Sequence, residues 1–110
     1  MKISLEGLLR QLGYNSDENS VKQLRTIEEN TPGFEKIKNH IVALNDHLKP
    51  YSSYVAMSNS NPYLKIKIDT DNEKFIKEAN ETISKWAQKY NVVLQKVEGK
   101  ETYYITGISK

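Results

Sequence analysis

Residues 33–110 pass through the same order of hydrophobic periods twice, and that order limits the folds open to the chain. Phe34, Ile37, Ile41, Leu44 and Leu48 recur at steps of three and four, the period of a helix with one apolar face. Lys49-Pro50 ends that stripe. The stretch "SYVAMSNSNPYLKIKID" then reads as strand, polar turn, strand. In its second strand Leu64, Ile66 and Ile68 alternate with Tyr63, Lys65 and Lys67. Ile76, Ala79, Ile83, Trp86 and Tyr90 form a second stripe, and "NVVLQKVEGKETYYITG" follows as a second hairpin. The helical stripes superpose with a shift of 42 (Ile37 on Ala79, Leu44 on Trp86), and the second strands with a shift of 40 (Tyr63 on Tyr103, Ile68 on Ile108).

Two helix-strand-strand units close most simply into one four-stranded antiparallel sheet with both helices on one face. The predicted class is α+β: an N-terminal helical segment followed by (αββ)2, a circular permutation of the ferredoxin-like arrangement. In element order this resembles the αββαββ scaffold domains of pilus-assembly and type II secretion inner-membrane proteins, a likeness of topology only. The segment "EGKETYYIT" also resembles the wing of small metal-sensing repressors. A winged helix, however, places its recognition helix directly before the wing, preceded by another helix. Here a hairpin stands in that place, so half of an (αββ)2 domain is the preferred reading.

Ahead of the repeat, residues 1–32 predict two short helices. Ile3, Leu5, Leu8, Leu9 and Leu12 mark the first, with Gly13 as its left-handed terminator. Val21, Leu24 and Ile27 mark the second, over 18–29, behind the capping residues of "NSDENS". Thr31 and Pro32 are expected to cap and open the third helix, and Thr70 with Glu73 to form a capping box for the fourth. Glycine first in a two-residue Gly99-Lys100 loop suits a type II′ hairpin turn.

At 110 residues the chain is expected to be one compact domain, the segments 1–32 and 33–110 sharing a modest core. The net charge of +2, from 16 basic and 14 acidic residues, makes a weaker field than a generic polyanion binder carries. Any nucleic-acid site must therefore be local. With no cysteine there is no disulfide or thiolate chemistry. No stretch approaches a membrane span, nor does the N-terminus have the apolar run of a signal peptide, so a cytoplasmic location is expected.

The sheet face away from the helices is expected to show Tyr63, Lys65, Lys67, Tyr103 and Ile105, with Lys49, Tyr51 and Tyr54 close by in sequence. Aromatic rings alternating with lysines suit single-stranded nucleic acid, where rings stack on bases and ammonium groups meet phosphates. The same alternation also builds any half-exposed strand. Leu5, Leu8, Leu9 and Leu12 either dock internally, the exposed sheet face being one seat, or present a partner-binding stripe. His40 and His47 lie on one flank of the third helix without a third ligand; Asp46 points about 100° away from His47. Asp69, Asp71 and Glu73 suit a helix start. Ser52, Ser53 and the run Ser58–Asn61 are turn composition, and Trp86 belongs to its stripe. No metal, cofactor, catalytic residue or small-molecule substrate is inferred. The expected function is non-enzymatic: protein–protein interaction, with another protein or a second copy of the chain, and nucleic-acid binding as the alternative.

Overall fold

The structure, a computed structural model, describes residues 4–108. In chain order its elements are α1 (Leu5–Gln11), α2 (Glu18–Asn30), α3 (Phe34–Leu48), a 3-10 turn (Lys49–Tyr51), β1 (Ser53–Met57), β2 (Leu64–Ile68), α4 (Glu73–Tyr90), β3 (Val92–Lys96) and β4 (Thr102–Ile108). The described residues thus form an α+β fold with four α-helices and one four-stranded antiparallel sheet, ordered β1-β2-β4-β3. Ile3, expected in the stripe of the first helix, lies outside the described residues.

Local chemistry sets the helix ends. Ser4 and Asp17 accept the first-turn N–H groups of Gly7 and Ser20, at 3.0 and 2.8 Å. After α1 the N–H of Tyr14 donates to Leu9 and that of Gly13 to Arg10, a Schellman pair that needs Gly13 at φ 89°. Two expected helix starts and one expected turn differ. Thr31 turns its hydroxyl back to the carbonyl of Ile27 at 2.8 Å, so α3 starts after Gly33 and Pro32 precedes the helix. Gly33, at φ 82°, leaves room for the end of β4: a Cβ there would lie 2.5 Å from Ile108 Cδ1. At α4 no capping box forms. Asn72 accepts from the N–H groups of Lys74 and Phe75, whereas Thr70 accepts from Asn72 itself. In the last hairpin the turn is Val97–Lys100, with Gly99 in its third position at φ 77°, so the two-residue loop is not made. A bulge between Val93 and Leu94 explains why "VVLQKV" alternates poorly.

One hydrophobic cluster joins every element. From the helices it takes Leu8, Leu9, Leu24 and Ile27, the α3 stripe, and Ala79, Ile83 and Trp86; from the strands, Val55, Met57, Leu64, Ile66, Ile68, Val92 and Ile105. Leu8 and Leu9 are fully buried and Leu5 and Leu12 pack against them, with α1 lying on α2 and α3. Of the candidate partner-binding stripe, Leu8 and Leu9 are therefore committed to the interior, and Leu5 and Leu12 are half-buried beside them. At about 1.5–3 kcal/mol per fully buried leucine, releasing Leu8 and Leu9 would cost much of the stability of a domain this size.

At the sheet edge, β1 is closed by side chains. Its Val55 N–H donates to Asn45 Oδ1 at 2.9 Å, and its Met57 N–H to the Tyr14 hydroxyl at 3.0 Å. Asn45 is itself buried on α3. An edge closed in this way is protected from pairing with another chain. Asn45→Ala would leave the Val55 N–H buried without an acceptor and is expected to cost about 1–3 kcal/mol, read by urea unfolding. A loss below roughly 0.5 kcal/mol would show that this bond does not matter.

Candidate functional site

In the sheet, residues directly opposite one another share a face. Val55 stands opposite Ile66, and Leu64 opposite Ile105, so these side chains turn together into the core. The alternate set stands on the other face. Tyr54 is opposite Lys67, Ala56 opposite Lys65, Lys65 opposite Tyr104, and Lys67 opposite Thr102. Tyr54 is 37% exposed, and Tyr63, Lys65, Lys67 and Tyr104 are half-exposed.

This register corrects the expected membership of the face. Ile105 is fully buried, and Tyr103 stands opposite Ile66 on the helix side, where its hydroxyl donates to Asn80 Oδ1 of α4 at 2.6 Å. Tyr104 and Thr102 take their places. Superposing the second strands by 40 residues puts Leu64 on Tyr104, which inverts the strand. A shift of one more residue, Leu64 on Ile105, keeps the faces in step. The signal was present in "TYYITG": taking Ile105 as core makes Thr102, Tyr104 and Thr106 the outward set. Lys49 and Tyr51 also fall outside the face. The Lys49 ammonium pairs with Asp46 at 3.2 Å, and Tyr51 packs edge-on against Phe75 of α4 with ring centroids 6.0 Å apart.

The turn between β1 and β2, plain turn composition in the sequence, shapes the face. Ser58 is buried, and its hydroxyl accepts from the N–H groups of Ser60 and Asn61, both at 3.3 Å. Gln23 of α2 braces the turn from behind by donating to the Ser58 carbonyl at 3.3 Å. So held, the turn reaches Tyr104, whose hydroxyl accepts from Asn61 Nδ2 at 2.9 Å and lies 3.4 Å from Ser60 Oγ. The Tyr63 and Tyr104 rings stand 6.2 Å apart. Between this turn and Val97–Lys100 lies a hollow of about 320 Å³, with Lys65, Lys67, Thr102 and Tyr104 in its lining and Lys100 at the second turn. Among the described residues, Lys65, Lys67 and Lys100 make no ion pair with a carboxylate.

The histidines are separate from this face. The His40 ring stacks on Tyr90 at 3.7 Å and its carbonyl accepts from Trp86 Nε1 at 3.0 Å, while His47 is exposed on α3. Among the described residues no group of His, Asp or Glu is placed to hold a metal. Asp69 and Asp71 are exposed in the link before α4, and Glu73 stands in its first turn. A scan against protein-family models and searches of curated proteins and of solved structures gave no match.

The two adjacent tyrosines differ in acidity. Hydrogen bonding to Ser60, Asn61 and Ser58, aided by the charge of Lys65, holds Tyr104 below the ordinary value of 10.0. Burial, with the charge of Glu101 second, raises Tyr103 above it. As pH rises through the lowered value Tyr104 adds to stability, whereas Tyr103 subtracts from it beyond 10.0. Spectrophotometric titration is expected to lose an early phenolate component in Tyr104→Phe and a late one in Tyr103→Phe. The reverse assignment would mean that the strand faces are exchanged.

Proposed function

We propose that the protein is a non-enzymatic binding module that holds single-stranded nucleic acid on the Tyr/Lys face of its sheet. The observation that carries this reading is the set Tyr54, Tyr63, Lys65, Lys67 and Tyr104, gathered on one face with its lysines free of carboxylate partners among the described residues. Exposed rings give every base a stacking surface, and ammonium groups with no internal partner meet phosphates without breaking an ion pair. In this reading the architecture is the permuted ferredoxin-like one, with α3 and α4 backing the sheet from one side. It is supported by the order β1-β2-β4-β3, which follows when the first strand of a ferredoxin-like sheet is moved to the chain end, and by the packing of α3 against α4. A cytoplasmic setting belongs to the same reading, on the cysteine-free composition. No helix among the described residues is long and apolar enough to cross a membrane.

Fluorescence anisotropy with labelled oligothymidine tests the reading. Affinity is expected to fall with added salt, log K against log salt sloping by about −0.7 for each phosphate engaged. Tyr63→Ala should weaken binding roughly tenfold, as the loss of one stacked base does. Lys67→Ala should weaken it and flatten the salt slope by about 0.7. Absent binding, or binding indifferent to salt, would overturn the proposal.

Protein–protein interaction stays as a second reading because of one other surface. A hollow of about 320 Å³ between α3 and α4 is lined by Leu44, Trp86 and Tyr90, with His47, Lys85 and Lys89 around it and no carboxylate in its lining. Its charge suits an acidic amphipathic helix of a partner protein. Trp86 is the only tryptophan, so a Glu-rich helical peptide seated there should shift the protein's fluorescence, and Lys85→Glu should abolish the shift. An unmoved spectrum at high peptide concentration would remove this reading.

A further inference from the structure

We propose that the hollow between the two hairpin turns is a phosphate seat, formed by Lys65, Lys67 and Lys100 with the hydroxyls of Ser60, Thr102 and Tyr104. In taking its ligand to be a phosphate of a nucleic-acid backbone, the proposal rests on the reading above.

Three ammonium-bearing side chains line this one concavity, two from β2 and one from the β3–β4 turn, and no carboxylate lines it with them. Lys65 and Lys67 are two residues apart on a strand, so their Cα atoms are about 7 Å apart along one face. Neither makes an ion pair with a carboxylate among the described residues, so an anion between them meets ammonium groups without breaking an internal bond. The Tyr104 hydroxyl accepts the Asn61 amide proton at 2.9 Å and lies 3.4 Å from Ser60 Oγ, which places both hydroxyls at the rim of the hollow. A volume of about 320 Å³ equals roughly ten water molecules, room for a phosphate with its sugar. One wall is preformed, because the buried Ser58 hydroxyl and Gln23 of α2 hold the β1–β2 turn in place. The opposite wall is tied at its base, where Lys96 Nζ donates to the Lys100 carbonyl at 3.0 Å. Binding therefore asks little ordering of the protein. Lys100 was not among the residues the sequence pointed to, since it sits in a turn and reaches the face only through the fold.

Amide shifts of the uniformly labelled full chain, followed by NMR during separate titrations with pyrophosphate and with oligothymidine, test the seat. Pyrophosphate should move the signals of Lys65, Lys67, Lys100 and Thr102, and oligothymidine should compete for them. Lys100→Gln, at an exposed turn position, should keep the fold by circular dichroism. It should weaken both ligands at least roughly threefold and flatten the oligothymidine salt slope by about 0.7. If oligothymidine binds while pyrophosphate leaves these signals unmoved and Lys100→Gln changes nothing, the seat is wrong and the nucleic-acid reading stands. If pyrophosphate moves them and oligothymidine does not bind, the seat stands and the nucleic-acid reading falls. If neither ligand binds, both are overturned.

Discussion

The packing of Leu64, Ile66 and Ile105 beneath the helical stripes is the constraint from which the rest of the molecule follows. Strand side chains alternate with a period of two, so a register held by one buried face also fixes every residue on the other face. Slipping β4 by one residue against β2 would drive Tyr104 into the core and expose Ile105. With Ile105 fully buried, that slip would forfeit about 1.5–3 kcal/mol for this side chain alone, a sizeable part of a small domain's stability. The arrangement of lysines and tyrosines on the outer face is thus a consequence of what the inner face buries.

The N-terminal helices contribute to the same end by indirect means. Leu8, Leu9, Leu24 and Ile27 join the core, while Tyr14 and Gln23 also act through hydrogen bonds to β1 and to the turn after it. Tyr14 and Asn45 occupy N–H groups of β1 that face away from β2, which stops the sheet at that strand. Gln23 steadies the turn whose Asn61 holds Tyr104. A continuous line of contacts therefore runs from α2, through Ser58 to Asn61, to the face on which the ligand is proposed to lie. Positioning a surface by such secondary contacts makes it less costly to order when a ligand arrives.

Much of this was legible from the letters, and the failures have physical causes. The stripes of α3 and α4 and the alternation of β2 gave the element order, because long periodic segments have few ways to bury their apolar sides. Leu8 and Leu9 were ambiguous, since a stripe that packs inside its own chain is written like one awaiting a partner. In β4 the run Thr102–Gly107 holds only one aliphatic side chain, so two tyrosines of similar character left its phase undecided until β2 was laid beside it. Lys49 and Tyr51 were close to the face in sequence but turned aside by the 3-10 turn after α3. Lys100 and the Ser58–Asn61 turn had no periodic signal, because turns acquire their neighbours only from the fold.

The surface proposed to bind nucleic acid exists only if β2 and β4 are paired in the stated register. Cross-strand backbone NOEs in solution examine this most directly. The account predicts that Lys65 will show such contacts to Tyr104, and Lys67 to Thr102. Contacts from Lys65 to Tyr103 in their place would exchange the two faces of β4 and contradict it.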